Sequence, residues 1–126
     1  MSDCYITSTG SYLPGEAVDN NSIDQYLGRV IGEARVKNRI LKANGIEARY
    51  YALDKRQNAT HSLYELAAEA VRNCLPRDLD SLKIDYLSAG TTHAPFLAPG
   101  ISSLLHDQLS KDKVLSHSVE INSNAG

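Results

Sequence analysis

Residues 84–100 read IDYLSAGTTHAPFLAPG, and this stretch decides the fold. Ile84, Tyr86 and Leu87 precede small residues and a threonine pair, the pattern of a buried strand running out into a loop. The loop HAPFLAPG leads into ISSLLHDQLS, residues 101–110, where Ile101, Leu104, Leu105 and Leu109 recur at helical spacing. Beyond it KVLSHSVEIN, residues 113–122, puts Val119 and Ile121 on one face of a second strand. Strand, helix and strand in this order predict a βαβ unit with parallel strands.

Working outward, THSLYELAAEAVRNCLP, residues 60–76, predicts the clearest helix. Ser62 stands three residues before Glu65 as a capping box, Leu63, Leu66, Ala67, Ala70, Val71, Cys74 and Leu75 form an apolar stripe, and Pro76 ends it. Residues 19–45 carry cap candidates from Asp19 to Ser22 and a helical face of Ile23, Tyr26, Leu27, Val30 and Ile31. That face is interrupted by Gly28 and Gly32 and closed at Asn44 and Gly45. IEARYYALD, residues 46–54, alternates loosely and reads as an extended edge. At the start, Tyr5, Ile6 and Thr7 form a β-prone run that breaks at Gly10 and at Pro14-Gly15, as a strand feeding a loop does. The expected class is α/β, a mostly parallel sheet with flanking helices, in a single unit over residues 1–126.

Composition narrows the function classes. With 126 residues, 42% hydrophobic and 22% charged, the chain has the make-up of one folded domain rather than a disordered segment. A net charge of −2 gives no reason to expect nucleic acid or an anionic membrane as partner. No basic segment leads into an apolar core at the N-terminus, and no run approaches the ~20 apolar residues of a membrane span, so the expected location is the cytoplasm. The charge is uneven: residues 29–56 hold eight Lys or Arg against three acids, while the remainder holds five bases and twelve acids. That basic stretch reads first as a solvated loop-and-helix face, and after that as a surface for a phosphate or an acidic carrier.

Motif chemistry is sparse. Cys4 and Cys74 are far apart and lack metal or redox spacing, which reads as two packed thiols. The four histidines, His61, His93, His106 and His117, are scattered, so no metal site is expected. Only His93 stands on a loop after a strand, where ligands gather in open α/β sheets. His61 reads as a helix-start residue, His106 as a surface residue, and His117 as half-buried packing. Glycine-rich phosphate loops and hydrolase elbows are missing from the sequence. The Asn20-Asn21-Ser22 and Asn58-Ala59-Thr60 triplets carry meaning only in a secreted chain.

Five stretches in order resemble the N-terminal half of a β-ketoacyl-acyl carrier protein synthase III, a condensing enzyme of the thiolase superfamily. They are ITSTGSYLPG for the first strand and loop, NGIEARYYA for the basic turn, ELAAEAV for a helix, IDYLSAGTTHAPFLAPG for a strand and loop, and SVEINSNAG for the strand leading to the nucleophile. The resemblance runs from about residue 5 to residue 126. The long helix before Asn44 and the RYYALD ending are similar to the branch serving specialised lipids, such as dialkylresorcinol or aryl-polyene pathways.

The resemblance implies decarboxylative Claisen condensation in fatty acid or specialised lipid biosynthesis. A cysteine at the N-terminus of a buried helix takes an acyl group as a thioester, and a His and an Asn polarise a malonyl-carrier thioester so that carbon dioxide leaves and a carbanion attacks. In the usual spacing the cysteine position falls on Ala125, five after Glu120; in the branch with a longer turn it falls past Gly126. Cys4 and Cys74 match no catalytic position, and His93 and His117 do not match the catalytic His. The expectation is a portion of a parent acyltransferase, without the nucleophile and inactive alone. The plain reading of EINSNAG, a strand ending in a polar turn, also accounts for the residues.

Two departures bear on substrate. Members of the family that use acyl-coenzyme A carry a Trp and an Arg just before the T-G-I turn; the matching positions are Arg39 and Ala43, which weighs against coenzyme A. Arg39, Lys42 and Arg49 are candidates for meeting the phosphopantetheine or the acidic surface of an acyl carrier protein, or are plain surface charge. The position before Pro99 matches a bulky residue that closes the partner's acyl pocket in the family dimer; it is Ala98, with Phe96 nearby, so these two are the candidate acyl-pocket residues. The implied substrates of the parent are acyl carrier protein or coenzyme A thioesters, with no covalently bound cofactor. The implied partners are an acyl carrier protein and the remaining half of the enzyme or a homologous synthase subunit, in an oligomer. A noncatalytic binding or scaffolding subunit is the alternative.

Overall fold

A computed structural model describes residues 3–28, 34–76, 84–93, 95, 96, 98–111 and, through backbone pairing, 119–124. Their contacts group into two compact units where the sequence suggests no boundary. One unit joins residues 1–12 to residues 63–126, and the other is residues 13–62.

The 13–62 unit is held by local polar geometry more than by a core. β1 (Val18–Asp19) pairs antiparallel with β2 (Ala48–Arg49), Val18 opposite Arg49, and Val18 is nearly fully buried. The Asp19 carboxylate closes the turn into α1 (Asp24–Leu27) by accepting from the Ser22 amide at 2.8 Å, an Asx-type turn. The expected long helix is two pieces: α1 stops at Gly28, whose φ of 75° favours glycine, and α2 spans Ala34–Ala43, with residues 29–33 outside the described set. α2 stops where the sequence places its end, at Asn44 and Gly45, with Gly45 at φ 69°. Lys37 of α2 reaches Asp24 of α1 at 2.5 Å, and Tyr26 stacks on Tyr51 with ring centres 6.0 Å apart. A tight loop follows, bridged between Leu53 and Ala59, with the Asp54 carboxylate accepting from the amides of Arg56 and Asn58 at 2.8 and 2.9 Å.

The other unit holds the core. α3 (Leu63–Cys74) begins directly after Ser62, β3 spans Tyr86–Thr91, α4 spans Ile101–Lys111 and β4 spans Val119–Asn124. β3 and β4 run parallel in register from Tyr86 opposite Val119 to Thr91 opposite Asn124, so β3, α4 and β4 form a strand–helix–strand unit. Ala68, Leu105 and Leu109 are buried at the centre, packed by Ala67, Val71, Leu75, Ile84, Leu87 and Ala89. Leu87, Ala89 and Thr91 alternate with exposed Tyr86, Ser88 and Gly90, the period-two signature of a strand with one covered face. Among the described residues the sheet content is one antiparallel and one parallel ladder, each of two strands. The chain is therefore mixed helix and strand, a coarser result than the mostly parallel sheet expected.

The expected first strand at Tyr5, Ile6 and Thr7 does not form. Residues 3–14 join no ladder, and Tyr5 and Ile6 are 74% and 88% exposed, because β-prone side chains make a strand only where a neighbouring strand accepts their hydrogen bonds. The segment instead lies on the C-terminal end of α3. The Ser8 hydroxyl donates to the Cys74 carbonyl at 2.5 Å, one of the carbonyls a helix end leaves without an internal partner, and the Asn73 amide donates to the Ser11 carbonyl at 2.9 Å.

Candidate functional site

The candidate residues fall into two sets, one in each unit. In the 13–62 unit, Arg39 and Lys42 are exposed on α2, Lys42 in its last turn. Arg49, on β2, is half-buried and donates to the Asn20 side-chain oxygen at 2.6 Å, while the Asn20 amide donates to the Ile46 carbonyl at 2.9 Å. Arg49 is therefore a brace between β2 and the turn after β1, already supplied with an acceptor. Lys42 borders an open cleft of about 330 Å³ with Asn20, Asn38, Leu41, Ile46 and Glu47; Arg39 does not line it. That lining offers amides, one charge of each sign and two apolar side chains, which suits an amide-bearing chain better than a bare anion. Asn38 and Asn20 were not legible as site residues, although Asn38 precedes Lys42 by one helical turn, a spacing that puts both on one face.

In the other unit, the loop between β3 and α4 carries the acyl-pocket candidates. Phe96 is 55% exposed and Ala98 is exposed, with the Ala98–Pro99 peptide cis. His93 sits in the turn leaving β3, where the Thr91 hydroxyl accepts from the His93 amide at 3.2 Å and donates to its carbonyl at 3.1 Å. These bonds fix the backbone and leave the imidazole out of the turn's hydrogen bonding.

Two expectations are corrected. Cys4 is exposed rather than packed, since the segment that carries it is not a strand; Cys74 is half-buried on α3. His106 is not a surface residue: its Nε2 is buried and finds no hydrogen-bond partner among the described residues, because its place on α4 falls between buried Leu105 and Leu109 and the outer face. His61 is bound locally, its Nδ1 lying 3.0 Å from the Thr60 hydroxyl. Among the described residues, His, Cys, Asp and Glu do not gather into a metal-binding group. His117, Ala125 and Gly126 lie outside the described residues, and Glu120 is placed only by its backbone, opposite Leu87.

Comparison with solved structures finds a likeness that bears on the fold. A solved structure titled AbyA1, a tetronic acid condensing enzyme, matches 90% of this chain with a TM-score of 0.60 and 26% sequence identity. The chain resembles a condensing enzyme in fold. It spans 35% of the length of that structure. No family model matches the sequence, and no curated protein matches it. Among the described residues no helix is long and apolar enough to cross a membrane.

Proposed function

We propose that this chain is part of an acyltransferase of the β-ketoacyl-acyl carrier protein synthase III kind, acting in fatty acid or specialised lipid biosynthesis. The observation that supports this reading is the likeness over 90% of the chain to a condensing enzyme, with the strand–helix–strand core of β3, α4 and β4 as its frame. In the whole protein a cysteine thiolate attacks an acyl thioester, the carrier thiol leaves, and the acyl group is held on sulfur. The malonyl thioester then loses carbon dioxide, its carbanion attacks the held carbonyl, and the cysteine thiolate is released with the 3-oxoacyl product.

In this reading the candidate residues described above surround the reacting groups. Phe96 and Ala98 form acyl-pocket wall, with the small Ala98 leaving room for a long or aromatic acyl group. Lys42, Arg39 and the braced Arg49 face an acyl carrier protein and its phosphopantetheine arm, and the amide-lined cleft beside Lys42 matches the amides of that arm. The deciding experiment is expression of the uninterrupted reading frame and incubation with acyl donors and malonyl-acyl carrier protein, followed by mass spectrometry of the carrier. A 3-oxoacyl adduct, lost when the nucleophilic cysteine is replaced, is the expected result; a protein that carries the cysteine and yields no adduct with short, long or aromatic donors overturns the reading.

A second reading is favoured by the exposed cationic side chains of α2, Arg35, Arg39 and Lys42. A noncatalytic subunit that binds an acyl carrier protein or an active synthase would need those charges and no nucleophile. Full condensing activity of a companion synthase in the absence of this chain, with no change on adding it, would remove that reading.

A further inference from the structure

We draw no further inference here: the strongest candidate, the exposed His93 in the turn at the carboxyl end of β3, where Thr91 stands opposite Asn124 of β4, carries nothing because no hydrogen bond or ion pair engages its imidazole among the described residues and the chain past Asn124, on which it would have to act, lies outside them.

Discussion

Gly10 lies against the backbone of Cys74 with no room for a side chain between them. A Cβ at Gly10 would fall inside contact distance of the Cys74 amide and Cα and of the Ala70 carbonyl. The glycine is needed for close approach rather than for an unusual backbone angle, and it lets the 8–11 segment reach the end of α3.

Gly10→Ala is therefore expected to destabilise by about 2 kcal/mol or more, because the obstacle is backbone and cannot swing away as a flexible side chain would. Urea denaturation followed by the helical circular-dichroism signal checks this. A midpoint equal to wild type would mean that the 8–11 segment does not rest on α3.

Leu109 is 1% exposed at the centre of the α3, α4 and β3 core. Leu109→Ala is expected to cost about 2–5 kcal/mol, the range for a buried leucine whose cavity collapses only in part. Leu104→Ala, one face over and half-buried, should cost clearly less. Equal losses in denaturant titrations would contradict the core assignment.

Hydrogen bonds from the side chain and amide of Asn58, and from the Arg56 amide, hold the Asp54 carboxyl below its usual range. A depressed folded value means that the carboxylate form favours the folded loop, so this contribution is present above the ordinary value of 3.8 and is lost as pH falls through the lower, folded one. Protection of the Asn58 and Arg56 amides, the factor by which their exchange is slowed relative to the intrinsic rate at the same pH, should fall below that point, and Asp54→Asn should lower it at neutral pH. Protection in Asp54→Asn equal to wild type at neutral pH would exclude the mechanism.

If the small side chain before Pro99 sets acyl-pocket depth, Ala98→Phe in the whole protein should lower kcat/KM for long acyl donors by about tenfold or more while sparing short ones. Competition between donors, read by mass spectrometry of the products, measures the change. An unaltered chain-length preference would place Ala98 outside the pocket.

Much of the fold is legible because two of its helices are written in apolar spacing and stop signals. α3 and α4 appear where Leu63 to Leu75 and Ile101 to Leu109 put them, and Gly28 and Gly45 end helices as their lack of a Cβ allows. The strand at Tyr5 is missed because strand formation is a property of two segments, and composition reports only one. Arg49 looked like a free cation because its acceptor, Asn20, is 29 residues away in sequence. His106 looked exposed for a related reason: its burial depends on what packs on α4, which the helix's own pattern of Leu105 and Leu109 only brackets. Of the candidate site, Lys42 was legible from charge, while its amide neighbours in the cleft were not.

The stacked pair of Tyr26 and Tyr51 gives the protein an optical label of its own. The chain has no tryptophan, so the near-ultraviolet band is a phenol band, and Tyr26→Phe and Tyr51→Phe would measure the share of its asymmetry that the stacked pair contributes. The far-ultraviolet helix band is dominated by α3 and α4, the longer helices of the other unit alongside α2. The phenol signal lost in those two variants belongs to the 13–62 unit, and a heating curve of that difference set beside the helix band would show whether this unit melts with the rest.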